Sequence, residues 1–331
     1  MAEPVVDLHA HHVGADAVAR IEAGGAAHGI AVEGDRIRVG ERLTGLPVLP
    51  GLTDVAARLS WMDEAGVDVQ LVAGWMDLAG YHLPPEAGRW LARVQNEALA
   101  ALVAAHPRRF AAAAAVPLQD PGLAAAELDH AVTELGHVAV QIGARVEHGG
   151  LDEPVLDPFW TAAEELGVPV VIHPAELDVP DRHRRLFLHI LTGNPAETTN
   201  AAAALLLGGV LDRHPGLRFL LVHGGGFLPY QIGRLARGAT TAPEAARSRS
   251  AHPPRELLRH FHFDTVLHDP DALRYLENFA AGRVVLGSDY PFPMADSDPV
   301  GSVGKAIDDE AARGQILSTT PAGLLARRRT R

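Results

Sequence analysis

The stretch Val5-Val6-Asp7-Leu8-His9-Ala10-His11 has the apolar composition of a buried β-strand and carries two histidines at its end. In a strand, residues two apart face the same side, so His9 and His11 project together, about 7 Å apart along the chain. Two imidazoles in this arrangement can share a metal ion. Taken alone, the pair fits equally well with two ordinary polar residues, and the ends of later strands decide between the two interpretations.

Seven further apolar stretches follow, with helical patterns between them. The stretches are residues 68–74, 110–117, 137–143, 169–174, 218–223, 261–266 and 283–286. Strands that alternate with helices predict a parallel sheet, and eight repeats predict closure into a (β/α)8 TIM barrel of the α/β class. An open doubly wound sheet is the alternative, but no dinucleotide-binding glycine fingerprint follows the first strand. We therefore expect a single barrel domain over residues 1–331.

The helical patterns and one irregular region complete the expected layout. Helices are predicted for residues 54–65, 84–105, 122–135, 157–166 and 196–211. Residues 13–55 lack the period of a barrel repeat. Within them, residues 30–39 have the pattern of two short strands around Gly34-Asp35. We expect residues 13–55 to form a small β insertion on top of the barrel.

Composition limits the chemistry of the 331 residues. The formal net charge of -12 argues against a nucleic acid or an anionic membrane as partner. The chain has no cysteine, so any metal must be held by histidine and carboxylate, which suits zinc or another divalent first-row ion. No basic segment followed by an apolar run begins the chain, and no run of about 18 apolar residues occurs in it. A soluble cytoplasmic protein is expected.

Polar residues recur at the carboxyl ends of the predicted strands, where barrel enzymes carry their function. Besides His9 and His11, the fifth strand ends in His173, the sixth in His223 and the eighth in Asp289. Each alone has an ordinary explanation as a satisfied polar residue or a turn cap. Three of these imidazoles and the carboxylate, with a vacant position, form a reasonable catalytic zinc site.

These motifs resemble those of the amidohydrolase superfamily, and within it the branch of aminocarboxymuconate semialdehyde decarboxylase and the resorcylate-type decarboxylases. The similar segments cover nearly the whole chain. They include His9-Ala10-His11, Met62-Asp63-Glu64-Ala65-Gly66-Val67, Ile172-His173-Pro174, Asn194-Pro195-Ala196-Glu197-Thr198-Thr199, Val222-His223-Gly224-Gly225-Gly226 and Gly287-Ser288-Asp289-Tyr290-Pro291.

The resemblance implies roles for the residues at the strand ends. The metal ligands would be His9, His11, His173 and Asp289, and His223 would be the acid/base beside a metal-bound water. The resemblance implies one divalent ion, with zinc expected and manganese as the alternative.

Three further residues receive roles from the same resemblance. Arg38, in the insertion, would hold a carboxylate of a small-molecule substrate. Arg234 would supply a second carboxylate contact from the neighbouring subunit of a homodimer. Two-metal members of the superfamily carry a carboxylated lysine on the fourth strand, which here has none, and Gln141 on that strand becomes a candidate for a hydrogen bond near the site.

The chain also departs from the pattern of the muconate-semialdehyde enzyme. Ala175 and Ile190 stand where that enzyme carries tryptophans around its substrate pocket. Replacing two large aromatic side chains changes the shape of a pocket. We therefore expect the reaction class to persist while the substrate differs.

The resemblance implies non-oxidative decarboxylation of a small unsaturated or aromatic carboxylic acid. A metal-dependent hydrolase of a lactone or amide is the first alternative, because the same fold and metal support both reactions. A barrel that holds a metal only to bind a ligand is the second. The presence of His223 beside a complete set of ligands argues against that second alternative.

Overall fold

The apolar stretches of the sequence become the strands of one parallel sheet in the computed structural model, which describes residues 3–146, 149–175 and 183–326. The described strands are β1 (Val6–His11), β2 (Ile30–Glu33), β3 (Arg36–Val39), β4 (Arg42–Leu43), β5 (Val69–Ala73), β6 (Phe110–Ala114), β7 (Ala139–Gly143), β8 (Val170–His173), β9 (Phe219–Leu221), β10 (Phe261–Asp264) and β11 (Val284–Val285).

Helices follow most of these strands. They are α1 (Ala15–Gly24), α2 (Val55–Glu64), α3 (Pro85–Ala105), α4 (Pro121–Thr133), α5 (Asp157–Leu166), α6 (Asn194–Leu207), α7 (Val210–Arg213), α8 (Leu228–Thr241), α9 (Pro254–Leu257), α10 (Pro270–Phe279), α11 (Pro299–Ala306), α12 (Glu310–Gly314) and α13 (Thr320–Leu325). No described helix is long and apolar enough to cross a lipid bilayer.

The main sheet closes into a barrel. Its strand order is β1-β5-β6-β7-β8-β9-β10-β11, with every neighbouring pair parallel. The seam between the last strand and the first is bridged by hydrogen bonds from Leu8 N to Leu286 O, at 2.9 Å, and from His11 N to Tyr290 O, at 2.8 Å. The predicted (β/α)8 barrel is confirmed.

The core lies on both sides of the strands. Between the strands and the surrounding helices, Trp160, Phe159, Phe219 and Phe261 are fully buried in the largest apolar cluster. A smaller cluster joins side chains of seven barrel strands with Leu324 of α13. Arg218, which precedes β9, donates hydrogen bonds to the Leu324 and Ala326 carbonyls. Helix α13 therefore covers the amino-terminal end of the barrel, and the opposite end stays available for a site.

The insertion after the first strand is confirmed and is larger than two strands. Strands β2 and β3 pair antiparallel around the predicted turn, where Gly34 takes a φ of +61°, and β4 adds a third strand. Helix α1, which the sequence pattern did not predict, lies before them. Apolar residues of the insertion pack with Trp75, Leu78 and Leu91 of the barrel, so the small sheet is fixed to the body of the domain.

The predicted helices differ from the observed ones mainly at one break. Asp54 caps α2 by accepting a hydrogen bond from Ala57 N. The helix predicted over residues 196–211 instead divides into α6 and α7. Gly209 takes a left-handed φ of +78° between them, which interrupts the helical hydrogen bonds. Several observed strands are also shorter than the apolar stretches that predicted them, because a barrel strand ends where its pairing with a neighbouring strand ends.

The burial of His137, which precedes β7, can be tested by measuring the free energy of unfolding at acid pH. Its Nε2 pairs with Asn96 O at 3.1 Å, and burial lowers the pKa of the imidazole from 6.5 to about 4. The unfolded chain therefore binds the proton more tightly, so folding loses up to about 3 kcal/mol as pH falls from about 6.5 to about 4. We expect His137→Gln to flatten the decline in unfolding free energy over this range, as measured by urea unfolding at several pH values.

The matched control for this change is His268→Gln, at an exposed position. It should leave the dependence of unfolding free energy on pH as in the wild type. An unchanged dependence in His137→Gln would contradict the explanation by burial.

Candidate active site

Five side chains meet at the carboxyl-terminal end of the barrel. His9 and His11 come from β1, His173 ends β8, His223 follows β9, and Asp289 follows β11. The ring centre of His9 lies 5.2 Å from those of His11 and His223 and 5.3 Å from that of His173. The structure therefore brings together all five residues that the strand ends predicted.

The donor atoms of these side chains are close to one another. His9 Nε2 and His11 Nε2 are 3.2 Å apart, and they lie 3.3 and 3.2 Å from Asp289 Oδ1. Ligand atoms of His9, His173, His223 and Asp289 all fall within 4.8 Å of one another. This set of four differs from the ligand set that the resemblance implies, because it includes His223 and not His11. Five donors thus share one centre.

Hydrogen bonds on the far side of three rings fix which nitrogen faces the centre. His9 Nδ1 pairs with Asp264 Oδ2 at 2.6 Å, His11 Nδ1 with Gly74 O at 3.1 Å, and His173 Nδ1 with Pro174 O at 2.7 Å. A carbonyl or carboxylate oxygen can only accept, so Nδ1 carries the hydrogen in the neutral form of each ring. The unprotonated Nε2 atoms then point inward.

The chemistry of this centre suits a cation. Three nitrogen lone pairs and the Asp289 carboxylate face one another with no hydrogen-bond donor among them, which is electrostatically unfavourable. His173 Nε2 and Asp289 Oδ1 are buried and have no hydrogen-bond partner among the described residues. Imidazole rings oriented by a second acceptor are typical of metal sites. The donor set therefore fits one divalent first-row ion.

The pKa shifts of the side chains in the site agree with this description. Burial alone would lower the pKa of His9, but the carboxylates of Asp289 and Asp264 outweigh it and raise the pKa. Burial and the neighbouring imidazoles hold the pKa of His173 well below its usual value. Burial opposes ionisation of Asp289, yet His9, His11 and His223 hold the pKa of its carboxyl well below the usual range. These shifts favour a neutral His173 imidazole and an ionised Asp289 carboxylate, which are the forms that bind a metal.

His223 differs from the other three histidines. Its Nδ1 has no hydrogen-bond partner within the part of the chain that the structure describes, and its Nε2 lies 3.6 Å from Asp289 Oδ2. Its side chain is 18% exposed, whereas those of His9 and His11 are 1% and 0% exposed. The residue adopts a left-handed φ of 54°, immediately before Gly224. His223 therefore has access to both the donor cluster and the space in front of it.

A buried polar network lies behind the donors. Asp7 accepts hydrogen bonds from Ser288 Oγ at 2.6 Å and Gln70 Nε2 at 2.9 Å, and burial raises the pKa of its carboxyl. Arg58 donates to Gln70 Oε1 at 2.8 Å and to the carbonyl of His11. Burial lowers the pKa of this guanidinium to about 10, so it stays charged at neutral pH. The network joins β1, α2 and the segment that carries Asp289.

A cavity of about 510 Å³ opens in front of the site. Its walls are mainly apolar and aromatic, and they include Trp75, Phe187, Ile190, Phe227 and Phe292. No arginine or lysine of residues 3–146, 149–175 and 183–326 lines it. Ile190, one of the two departures from the family pattern, lines this cavity. Ala175 lines a smaller neighbouring cavity of about 80 Å³.

The other three predicted residues lie at different places. Gln141 is buried and donates to Gly74 O at 2.8 Å, the same carbonyl that His11 Nδ1 contacts. Arg38 does not meet the expectation of a pocket residue: it is half exposed on β3, where its guanidinium is held by both carboxylate oxygens of Glu33. Arg234 is exposed on α8 and does not line the cavity of its own chain.

Sequence reasoning missed Asp264. This fully buried residue ends β10 and binds His9 Nδ1, while its other oxygen accepts from Gly224 N at 2.8 Å. It thereby connects one histidine of the centre to the turn that presents His223. The sequence could have identified Asp264, because it is a polar residue at the carboxyl end of the seventh barrel strand. The other site residues were identified from the same position on their strands.

A (β/α)8 barrel with a histidine and aspartate donor set at the carboxyl ends of its strands defines the class of metal-dependent barrel enzymes. The chain belongs to the amidohydrolase family, whose model matches residues 6–327.

Related proteins include named decarboxylases. The chain is 35% identical over 247 residues to 2-amino-3-carboxymuconate-6-semialdehyde decarboxylase of Dictyostelium discoideum, covering 74% of this chain and 69% of that protein. It is 34% identical over 199 residues to gamma-resorcylate decarboxylase of Rhodococcus jostii, covering 54% and 58%. The structure of 5-carboxyvanillate decarboxylase from Sphingomonas paucimobilis superimposes with a TM-score of 0.82 at 25% identity, over 99% of this chain and 100% of that one.

Removing the charge of Asp264 tests its part in the centre. We expect Asp264→Asn to weaken binding of zinc by about 10- to 100-fold, because a neutral amide stabilises the ligating form of His9 less well. Competition with a chromophoric chelator measures the affinity. Asp269→Asn, at an exposed helix cap that asparagine also fills well, is the control. Equal zinc affinity in Asp264→Asn and wild type would contradict the role.

Proposed function

We propose that the chain catalyses non-oxidative decarboxylation of a small aromatic or unsaturated carboxylic acid. The observation that carries the proposal is the difference between His223 and the other histidines. Three imidazoles are oriented by outer acceptors, as ligands are. His223 lines the cavity, and its Nδ1 has no hydrogen-bond partner among the described residues. A residue with that freedom can accept and release a proton.

His9, His11, His173 and Asp289 would hold one divalent ion. When bound, the ion would supply Lewis acidity and a fixed positive charge for oxygen atoms of the substrate. Three nitrogens and one carboxylate suit zinc, and the same donors also bind manganese. Manganese is present in the dihydroxybenzoic acid decarboxylase structure from Polaromonas sp., a fold neighbour of 22% identity, so both ions belong in the tests.

His223 would act as the general acid. Its imidazolium delivers a proton to the ring or chain carbon that bears the carboxylate, and that carbon becomes tetrahedral. The bond between this carbon and the carboxylate carbon then breaks, carbon dioxide leaves, and the electron pair returns to the π system. The exchange consumes one proton and needs no oxidant or reductant. The partial exposure of His223 allows it to be reprotonated from solvent.

The walls of the cavity favour an aromatic acid over a muconate-like acid with a second carboxylate. Trp75 and Phe292 offer ring surfaces, with ring centres 5.9 Å apart, and Phe292 lies 5.1 Å from the ring of His11. Arg38, to which the resemblance gives the role of holding a substrate carboxylate, is engaged by Glu33. The relatives named for resorcylate and carboxyvanillate act on aromatic acids, which agrees with such walls.

Replacing His223 separates its role from that of a ligand. We expect His223→Ala to retain zinc or manganese and to lose about 10²- to 10⁴-fold in kcat, the usual contribution of a general acid or base. Metal content is measured by elemental analysis, and turnover by release of carbon dioxide from a panel of carboxylated phenols and dienes. His252→Ala, an exposed histidine that does not line the cavity, is the control.

Three outcomes would reject parts of the proposal. Loss of the metal in His223→Ala would make His223 a ligand. Ring-opened acids from lactones in the same panel, without carbon dioxide from any carboxylated compound, would identify a hydrolase. A metal-loaded protein that turns over nothing would support a binding role.

We also propose that the chain works as a homodimer in which Arg234 reaches the site of the other subunit. Its exposed position on α8, away from its own cavity, supports a contact with a partner. Arg234→Ala should raise KM for the carboxylate substrate. Mixing Arg234→Ala with inactive His223→Ala subunits should restore one working site in each mixed dimer.

The measurement is activity after the two variants have been unfolded and refolded together, with each variant refolded alone as the control. Sedimentation confirms that mixed dimers form. Mixed dimers without recovered activity would contradict a shared site, and a monomer at working concentration would reject the dimer itself.

A further inference from the structure

The insertion contributes part of the wall of the main cavity. Residues 44–46, here called the insertion loop, follow β4, and Gly45 and Leu46 line the cavity. Leu46 packs with the apolar cluster that contains Trp75 and the partly buried Phe292. The insertion loop therefore continues the aromatic surface that lies beside His11.

The insertion loop is held by hydrogen bonds along its whole length. Arg36 Nη1 donates to the carbonyls of Thr44, at 2.6 Å, and Gly45, at 2.7 Å. The Thr44 hydroxyl donates to Leu46 O at 2.9 Å. A loop held in this way presents the Leu46 side chain in one position. A cavity wall that selects among substrates requires such a fixed side chain.

A hydrogen bond also joins the insertion loop to the barrel. Gly45 N donates to Asp77 Oδ2 at 2.7 Å, and Asp77 lies in the short turn after β5. Gly45, Met76 and Asp77 line both the cavity of about 510 Å³ and the neighbouring cavity of about 80 Å³. The hydrogen bond between Gly45 and Asp77 therefore crosses the partition between the two spaces.

We propose that the insertion loop sets which ring substituents the main cavity accepts. Leu46 is the specificity-determining side chain, and Asp77 is a positioning residue that keeps the partition closed. The inference rests on the proposed function, because it assumes that an aromatic acid occupies the cavity. Loss of the Leu46 side chain, or of the contact between Gly45 and Asp77, enlarges the space available to a bulky substituent.

Binding measurements on the metal-loaded protein test the wall without requiring turnover. The probes are salicylate and its 4- and 5-tert-butyl derivatives, titrated by calorimetry. We expect Leu46→Ala to raise the affinity for a tert-butyl derivative relative to salicylate by about tenfold, the usual effect of a change in the size of an apolar pocket. Val48→Ala, a partly buried aliphatic residue of the same insertion that does not line the cavity, is the matched control.

Two variants of Asp77 separate positioning from charge. Asp77→Ala removes the acceptor for Gly45 N and should raise the same affinity ratio. Asp77→Asn keeps an oxygen acceptor and should retain the wild-type ratio. Amide hydrogen exchange of Gly45 gives a readout that needs no ligand: it should accelerate in Asp77→Ala and stay slow in Asp77→Asn.

The outcomes distinguish this inference from the proposed function. Unchanged affinity ratios in Leu46→Ala, or equal Gly45 exchange in Asp77→Ala and wild type, would overturn the role of the insertion loop even if carbon dioxide is released. Altered ratios in a protein that releases no carbon dioxide would preserve the wall and reject the decarboxylase.

Discussion

Electrostatic repulsion among inward-facing acceptors is the constraint on which the rest of this structure depends. Outer partners hold the rings of His9, His11 and His173 so that unprotonated nitrogens face the Asp289 carboxylate. Such an arrangement is stable only around positive charge, whether a proton or a metal ion. The burial of these groups strengthens the demand, because the repulsion is poorly screened away from water.

Closure of the barrel and assembly of the site are one event. Asp289 N and Ser288 N both donate to His9 O, at 2.7 and 3.2 Å, across the seam between the first and last strands. Ser288 Oγ binds Asp7 next to the same seam. The aspartate therefore reaches the histidines of β1 only when the sheet has closed. This explains how residues 280 positions apart in the chain are held at a spacing suited to one ion.

The sequence was sufficient for the barrel, because near-continuous apolar strands alternating with helices permit few other arrangements. It was also sufficient for the five residues at the centre, because strand ends converge in a barrel. Arg38 could not be placed in this way: a side chain on a surface hairpin can turn to several partners, and Glu33 across the turn is nearer than the cavity. The break at Gly209 depends on a local backbone angle that an apolar pattern does not reveal. The roles given to Arg234 and His223 remain predictions.

Left-handed backbone conformations in residues other than glycine gather around the cavity. Phe187, His223, His268 and Asp289 all have φ between 54° and 60°, and all line it. Each such residue costs about 1 kcal/mol or more relative to an ordinary conformation. Selection for heat resistance alone would therefore favour glycine or asparagine at these four positions. Catalytic activity would be lost first, because these side chains line the cavity. The most thermostable descendants of this chain would be expected among those that have lost its activity.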